Sequence, residues 1–426
     1  MKTRLRYVAQ VNPLSRRFDR LAEDALVPFL PMENVWPGDN FDLSQTRPKS
    51  AVAVGYTRFQ SGDIIVPKIT PTFEASRSVL IPDLPDSVGT GTTELHVVRP
   101  GSRIEPRYLL YIFHSHDFLK LGEAEMYGVA GQKRVPDDLI RDWTIDLPSL
   151  DEQRRIADFL DAETARMDTL MAKRRMQATT LGELELASIG DQLRGTDLGM
   201  GRTETSWRWL PTIPDGWRIG PVYAYFDVQL GKMLNAERAS GDGQQPYLRN
   251  ANIHWYEIDT GDLATMTFEP SERLRYGVKA GDLLVCEGGA GVAEAAVWDG
   301  RTLTCFYQKS LHRVRATSHV PVEWLMYWLR FAKAAGVFDA DGNLATIPHL
   351  TGEQLAAYRI PIPDDGHRRV GELRSMIAAI RKTQAEMASA DAFLAERRRA
   401  LITSAVTGQI DVTTAQGLSP SGGIAT

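Results

Sequence analysis

One order of short motifs occurs twice in this chain of 426 residues. ELHVVR surrounds His96 and SLHRVR surrounds His312, and the two histidines are 216 positions apart. YLLYIF begins at Tyr108 and WLMYWL begins at Trp324, again with a separation of 216. Motifs that return in the same order at a fixed period indicate one structural unit that has been used more than once.

The repeat extends over most of the chain. GDIIV begins at Gly62 and GDLLV at Gly281, in the same order relative to the other motifs. We therefore interpret the chain as two diverged halves, about 1–200 and 201–426. The alternative is a coincidence of short matches.

Each half shows the same succession of predicted elements. Short runs rich in Val, Ile and Tyr, punctuated by Pro and Gly, predict strands. A compact helix follows, around 108–121 in the first half and around 321–335 in the second. A strand ending in proline comes next, at Pro148 and at Pro363, and each half then closes with a long helix.

The closing helices are long and contain no proline. Ser149 and Glu152 have the spacing of a capping box, which predicts that the first helix begins there. From Ile156 and from Val370, apolar residues recur every three or four positions through each helix. A helix of about 40 residues is roughly 60 Å long, which is too long for one small domain to cover. The apolar spacing favours a coiled coil, and the two helices can pair with each other. Antiparallel pairing would place the two domains at opposite ends of a rod.

These patterns define the predicted fold class, which is α+β. It consists of two α/β domains in tandem repeat, each followed by a long helix, with the two helices pairing as a coiled coil. The predicted boundaries follow the motifs. They are a first domain at 1–148, a long helix at 149–196, a linker at 197–206, a second domain at 207–363, a second long helix at 364–408 and a C-terminal tail at 409–426.

Composition limits the classes of protein that fit the chain. Cys286 and Cys305 are the only cysteines, which indicates a reducing compartment and no disulfide framework. No run of about 18 apolar residues predicts a membrane span, and the basic N-terminus lacks the apolar stretch of a secretion signal. We therefore predict a cytoplasmic protein. The net charge of -5 argues against a chain that is basic overall, although local basic patches can still attract nucleic acid.

The sequence lacks motifs that carry catalysis. It contains no phosphate-binding G-x-x-x-x-G-K-[ST] loop, no G-x-S-x-G motif, no D/E-x-K tripeptide of nucleases and neither NPPY nor DPPY of base methylation. The glycine-rich CEGGAGVAEAA from Cys286 lacks the third glycine of a dinucleotide fingerprint. HSHD, from His114 to Asp117, lies on a predicted helix where positions i and i+2 do not share a face, which favours a surface cluster over a metal site. A binding or assembly protein therefore explains the chain better than an enzyme.

Several segments resemble the specificity subunit of type I restriction–modification systems. They are LPSLDEQRRIADFLD from Leu147, IPIPDDGHRRV from Ile360, ALITSAVTGQIDV from Ala400, and LGKML, PYLRNANI, GDLLVCEGG and QKSLHRVR in the second half. The resemblance covers almost the whole chain, including its duplicated order. One segment departs from the family pattern, because PDDGHRR after the second strand lacks the Glu-Gln of the usual P-x-x-E-Q. We therefore expect the second long helix to be capped differently.

The resemblance implies that the two domains are target-recognition domains, each reading one part of a gapped sequence in double-stranded DNA. It implies that the two long helices pair as an antiparallel coiled coil, which spaces these domains. The paired helices also dock methyltransferase subunits, which methylate adenine with S-adenosylmethionine. A restriction subunit, where the host has one, joins the complex and cuts DNA with ATP and Mg. The chain itself is then a non-catalytic subunit with no cofactor of its own.

Candidate DNA-binding residues follow from the chemistry of recognition. Base edges are read by Arg, Lys, Asn or Gln, and phosphates require cations. The candidates are Lys68, Thr90, Lys133, Arg134, Lys232, Arg249, Asn250, Asn252 and Lys309. Each of them could instead be an ordinary solvated residue. His96 and His312 alternate with apolar neighbours, so we predict that both are buried structural histidines.

Two other functional classes remain open from the sequence. The first is a coiled-coil scaffold that holds other proteins through two duplicated domains and does not contact DNA. The second is an enzyme whose site is not recognisable from motifs. Salt-dependent DNA binding separates the first class from the DNA-reading hypothesis, because neutralised phosphates give a steep salt dependence.

Overall fold

The computed structural model describes residues 2–38, 40–128, 133–199, 201–233, 243–301, 304–338 and 349–412. These residues form two units, each folded around its own core. Unit 1 contains residues 1–174 and 388–426, and unit 2 contains residues 175–387. Each unit includes part of both long helices. Because this division falls inside the helices, the predicted boundaries of domains, linker and tail stay predictions, and the tail beyond 412 lies outside the described residues.

Unit 1 consists of short strands and helices that lead into the first long helix. Its strands are β1 (Lys2–Arg4), β2 (Ala9–Val11), β3 (Leu26–Leu30), β4 (Val35–Trp36), β5 (Asn40–Phe41), β6 (Thr46–Pro48), β7 (Thr57–Gln60), β8 (Ile64–Pro67), β9 (Val79–Leu80), β10 (Val88–Gly91), β11 (Leu95–Pro100) and β12 (Thr144–Asp146). Its helices are α1 (Arg16–Asp19), α2 (Lys49–Val52), α3 (Pro106–His114), α4 (His116–Glu125), α5 (Asp137–Asp142) and the first part of α6 (Leu150–Arg194).

Two four-stranded sheets make up most of unit 1. One has the order β2-β11-β8-β9 and is antiparallel throughout. The other has the order β6-β3-β10-β7, in which β3 and β10 run parallel. Strand β1 pairs with β12, so that Lys2 lies opposite Asp146. The start of the chain therefore lies beside the strand that leads into α6.

The compact helix predicted around 108–121 is two helices in the structure. Ser115 has an extended backbone, and its side-chain oxygen accepts a hydrogen bond from Phe118 N at 3.4 Å, which ends α3 and caps α4. The prediction that HSHD is a surface cluster is wrong for its first two residues, His114 and Ser115, which are buried. His114 is buried, and its Nε2 lies 2.9 Å from Ser78 O. The reason is that the break at Ser115 leaves His114 on the buried last turn of α3.

Unit 2 begins with the second part of α6 and repeats this succession. Its strands are β13 (Arg202–Trp207), β14 (Leu210–Pro214), β15 (Arg218–Pro221), β16 (Phe226–Leu230), β17 (Gln244–Leu248), β18 (Ile253–His254), β19 (Glu257–Ile258), β20 (Ala264–Thr267), β21 (Leu283–Cys286), β22 (Ala295–Val297), β23 (Phe306–Tyr307), β24 (Leu311–Ala316) and β25 (Arg359–Ile362). Its helices are α7 (Pro270–Tyr276), α8 (Val322–Ala334), α9 (Gly352–Ala357) and the first part of α10 (Gly366–Val406).

The sheets of unit 2 reproduce those of unit 1. The antiparallel order β16-β24-β21-β22 matches β2-β11-β8-β9. The order β20-β17-β23, with β17 and β23 parallel, matches β6-β3-β10, and the pair β15-β25 matches β1-β12. Strands β13 and β14 form a hairpin that has no counterpart among the described residues of unit 1. The internal repeat is thus confirmed as a repeat of sheet topology.

Each unit also buries the same ion pair. Asp63, directly after the glycine of GDIIV, accepts hydrogen bonds from Arg99 Nε and Nη2 at 2.7 and 2.8 Å. Asp282, directly after the glycine of GDLLV, accepts from Arg315 Nε and Nη2 at 2.6 and 2.7 Å. Both carboxylates are buried, and each ties the turn before a central strand to the strand beside it. This shared structural need explains why the GD motif occurs in both halves.

Antiparallel pairing of the long helices is confirmed within each unit. In unit 1, Asp168 contacts Arg398, and Arg174 Nη1 lies 3.2 Å from Asp391 Oδ1. Residue numbers therefore rise along one helix as they fall along the other.

Unit 2 shows the same direction. Gln384 Nε2 donates to Ala178 O at 3.3 Å, and Arg369 Nη1 donates to Gln192 Oε1 at 2.6 Å.

The start of α10 is stabilised by an arginine in place of the missing Glu-Gln. Arg369 is fully buried, and its Nε donates to Asp365 Oδ1 at 2.8 Å. Its Nη1 also donates to Asp197 Oδ1 at 2.8 Å, and its guanidinium lies 4.8 Å from the ring centre of Trp217. The first helix begins as predicted, because Ser149 Oγ accepts from Glu152 N at 3.3 Å.

The apolar seam predicted along α6 is buried over only part of its length. Ile156, Leu160 and Met167 are buried. Leu170 and Leu184 are 41% and 50% exposed, although they continue the same spacing. The spacing of apolar residues thus gives the helical period correctly but does not determine where along the helix a partner covers it.

Candidate functional site

Three candidate residues of unit 1 come together where β8 ends. Val135 N donates to Lys68 O at 2.8 Å, and Thr70 N donates to Lys133 O at 3.1 Å. These bonds place the segment before α5 alongside the residues that follow β8. Lys68, Lys133 and Arg134 therefore form one group, which we call cluster 1.

The cations of cluster 1 differ in their surroundings. Arg134 Nε and Nη2 donate to the two carboxylate oxygens of Glu94 at 2.8 and 2.7 Å, and this contact lowers the pKa of Glu94. Lys68 Nζ donates to Thr93 O at 2.8 Å, and partial burial lowers the pKa of Lys68. Lys133 is exposed and forms no ion pair with any residue that the structure describes. Lys133 is therefore the cation of this cluster most available to a phosphate.

Thr90 lies in the other sheet of unit 1, on β10. Its side chain is fully buried, and its hydroxyl donates to Pro28 O at 3.4 Å. A side chain in this position does not reach a base unless the sheet rearranges.

The five candidates of unit 2 also come together. Lys309 N donates to Lys232 O at 2.8 Å, so the loop after β16 runs beside the loop between β23 and β24. Asn250 N donates to Ser310 Oγ at 3.3 Å, which brings the loop after β17 to the same place. Arg249 and Asn252 belong to that loop. We call these five residues, Lys232, Arg249, Asn250, Asn252 and Lys309, cluster 2.

Two members of cluster 2 are buried and support the fold. Lys232 is 4% exposed, and its Nζ donates to Glu272 Oε2 at 2.5 Å and to Thr267 O at 2.8 Å. Asn252 is 2% exposed, and its Nδ2 donates to Asp259 O at 3.0 Å and to Asp262 O at 3.1 Å. Their side-chain polar groups are therefore hydrogen-bonded to other residues of unit 2.

The remaining members of cluster 2 reach the surface. Lys309 is exposed, and Arg249 and Asn250 are half-buried. Arg249 Nη2 donates to Asp262 Oδ2 at 2.7 Å, and Asn250 Nδ2 donates to Gly288 O at 2.8 Å. Asn250 Oδ1 has no hydrogen-bond partner among the described residues. That oxygen is itself buried, so the exposed Lys309 is the member of cluster 2 most available to a polar ligand.

Sequence reasoning missed residues that organise both clusters. Glu94 holds Arg134, and the hydroxyl of Ser310 accepts from Asn250 N and from Gln308 Nε2 at 2.9 Å. No spacing in the sequence indicates these roles. The alternation around His96 and His312 did predict their burial, and the structure confirms it, with exposures of 3% and 0%.

Other kinds of site receive no support from the described part of the chain. Within it, no group of three or more His, Cys, Asp or Glu side chains could hold a metal ion. Over the same residues, no helix combines the length and apolar character needed to cross a membrane. Cys286 and Cys305 are free, buried thiols.

The fold of this chain is similar to that of solved structures. A chain from a structure of the type I restriction–modification system superposes with a TM-score of 0.73 at 20% identity, covering 96% of this chain and 98% of that one. The HsdS subunit from Thermoanaerobacter tengcongensis superposes with a TM-score of 0.53 at 19% identity, covering 96% and 97%. At these identities the likeness shows the fold.

Sequence comparison gives relatives of the same kind. The type I restriction enzyme EcoAI specificity subunit of Escherichia coli is 42% identical over 158 residues, which are 36% of this chain and 26% of that protein. The EcoEI specificity subunit of Escherichia coli is 39% identical over 150 residues, 35% of this chain and 25% of that protein. The match thus spans about a quarter of the length of these relatives. No family model matches the chain.

The predicted resemblance to type I restriction–modification specificity subunits is therefore confirmed. The sequence match covers about a third of the chain, and the likeness of fold covers nearly all of the chain.

Proposed function

We propose that this chain is the DNA-specificity subunit of a type I restriction–modification complex. Unit 1 and unit 2 each read one part of a gapped target in double-stranded DNA. The paired helices dock methyltransferase subunits and, where the host has them, restriction subunits. The similarity to specificity subunits supports the class, and the arrangement of the two clusters supports the reading role.

The observation that carries this proposal is the equivalent position of the two clusters. Cluster 1 lies where β8 ends, and Val135 N donates there to Lys68 O. At the end of the equivalent strand β21, Leu350 N donates to Glu287 O at 2.6 Å, and Gly288 holds Asn250. The backbone is repeated while the side chains differ. This is what two readers of different base sequences require, since base edges are distinguished by side chains.

The chemistry of methylation and cleavage then belongs to other subunits. We propose that S-adenosylmethionine, ATP and Mg bind to the partners and that this chain acts as a non-catalytic subunit in the cytoplasm. A purified chain that methylates or cuts DNA by itself would contradict this part of the proposal.

Methylation mapping tests the proposed function directly. Host DNA is sequenced for modified adenine with the chain present, with the chain deleted and with the deletion complemented. We expect adenine methylation at one gapped motif to disappear on deletion and to return on complementation. Unchanged methylation, together with the absence of salt-dependent DNA binding, would favour the scaffold hypothesis.

A further inference from the structure

The buried His96 holds in place the segment that carries Lys133 and Arg134 of cluster 1. His96 Nε2 lies 2.9 Å from Val135 O, and Val135 N donates to Lys68 O at 2.8 Å. Both backbone groups of Val135 are therefore bound. Val135 lies two residues after Lys133, whose own carbonyl accepts from Thr70 N at 3.1 Å. Hydrogen bonds at Lys133 itself and at Val135 therefore fix the backbone position of Lys133.

Unit 2 contains the equivalent contact between a buried histidine and a backbone carbonyl. His312 Nε2 lies 2.8 Å from Leu350 O, and Leu350 N donates to Glu287 O at 2.6 Å. His349, the preceding residue, forms an antiparallel bridge with Gly288. Gly288 in turn holds the side chain of Asn250 in cluster 2. The histidine contact thus supports a candidate residue in each unit, which is Lys133 in unit 1 and Asn250 in unit 2.

The hydrogen bonds around His96 determine which of its nitrogens carries the proton. Asn12 Oδ1 accepts from Val97 N at 3.0 Å, so Asn12 Nδ2 is the group that faces His96 Nδ1, at 3.2 Å. Nδ1 must therefore accept, and the proton lies on Nε2, which donates to Val135 O. Burial lowers the pKa of His96 to about 4, which keeps the ring neutral near neutral pH. The neutral ring donates one hydrogen bond and accepts another. Glutamine can also do both, whereas leucine can do neither.

We propose that His96 and His312 are equivalent positioning residues, each of which fixes a backbone segment that carries or supports the candidate DNA contacts of its own unit for one half of the target. They act through the backbone of Val135 and Leu350 and do not touch DNA themselves. This inference rests on the proposed function. It adds a pair of residues, His96 and His312, whose loss affects each half of the target separately.

The experiment uses the full chain in complex with its methyltransferase subunit and a duplex carrying the mapped motif. Two further duplexes have the first or the second half of the motif scrambled. The variants are His96→Leu, His96→Gln, His312→Leu and His312→Gln, together with Lys133→Ala/Arg134→Ala as a background for His96→Leu. Affinity for each duplex and the thermal midpoint of each variant are measured.

We expect His96→Leu to lower affinity for the full motif by roughly tenfold, within the range of a lost base contact. It should lower affinity much less for the duplex already scrambled in the half that unit 1 reads, because only the phosphate contact of Lys133 is then left to lose. His312→Leu should do the same for the other half, and both glutamine variants should retain affinity. In the Lys133→Ala/Arg134→Ala background, His96→Leu should cause no further loss, because the residues it positions are already gone.

Other outcomes overturn the inference. A loss that is equal for all three duplexes, or that persists in the Lys133→Ala/Arg134→Ala background, would make His96 a residue of general stability only. Should His96→Leu fail to fold, the Val135 amide is compared by hydrogen exchange between the unchanged chain and His96→Gln. Faster exchange of this amide in His96→Gln, with affinity unchanged, would also refute the positioning role. An unchanged complex with no preference for its motif would instead refute the proposed function.

Discussion

Arg107 and Glu323 occupy equivalent positions, 216 residues apart, at the starts of α3 and α8, and they bind the long helix of their own unit with opposite charge. Arg107 Nη1 lies 2.6 Å from Asp161 Oδ2 on α6. Arg374 on α10 lies 2.5 Å from Glu323 Oε1. Asp161 follows the buried Leu160, and Arg374 follows an equally buried leucine. The contact is thus kept in both units with its polarity reversed, so each compact helix matches the charge of its own long helix.

The reversed pair predicts a specific effect of charge reversal. Glu323→Arg places two cations together in unit 2 and should lower the free energy of unfolding by about 1 kcal/mol, the upper range for exposed pairs. The double variant Glu323→Arg/Arg374→Glu restores opposite charges and should recover most of the loss. Thermal midpoints of the full chain at low ionic strength measure both effects. Equal losses in the single and double variants would show that packing, and not charge, makes the contact.

Lys133 and Lys309 should contribute to DNA binding through phosphates. Each is exposed, and each belongs to one of the two clusters. Replacing either by alanine should reduce the slope of log affinity against log salt concentration by about 0.9, the value for one phosphate contact. Lys120→Ala is the matched control, since Lys120 is also exposed but lies on α4 and pairs with Glu123 at 2.7 Å. A slope that changes as much in the control as in the cluster variants would contradict the assignment.

Buried histidines should make the chain less stable as the pH falls below 6.5. Burial lowers the pKa of His96 and of His114 from 6.5 to about 4. Between these values the unfolded chain binds more protons than the folded chain, so folding stability present above pH 6.5 is lost as the pH falls toward 4. Each histidine should contribute about 3 kcal/mol to this loss.

Urea unfolding of the full chain at pH 7, 6 and 5 measures this dependence. Carboxylates also titrate at the acid end, so the comparison is between the unchanged chain and His96→Gln, which does not titrate. We expect the variant to lose less stability between pH 7 and pH 5. The same loss in both chains would mean that His96 binds its proton in the folded state as easily as in the unfolded state.

The paired helices should set the gap in the DNA target. One heptad adds about 10 Å of helix, and one base pair advances about 3.4 Å, so a matched insertion should lengthen the gap by up to about three base pairs. Arg174 pairs with Asp391, so the insertions belong after Lys173 and after Asp391. Methylation mapping should show both half-motifs unchanged at a longer spacing. The original spacing in an active complex would mean that the helices do not measure the gap.

The sequence alone predicted the features that depend on local order. The offset of 216 between His96 and His312 predicted the repeat, which the matching sheets confirm. The Ser149 capping position was also predictable, because a cap involves residues three positions apart. The apolar neighbours of both histidines predicted that they are buried, and the structure shows that both strands are covered on both faces at these positions.

The tertiary structure decided which polar side chains remain accessible and which helix positions face each other. Lys232 was a candidate contact like Lys309, but it is buried because Glu272, 40 residues away, and Thr267 O bind its ammonium group. Arg174 finds Asp391 at a separation of 217 residues, which no periodicity along α6 indicates. The physical reason is that hydrophobic periodicity is a property of one segment. The burial and pairing of a charge depend instead on partners that only the folded chain brings within a few ångströms.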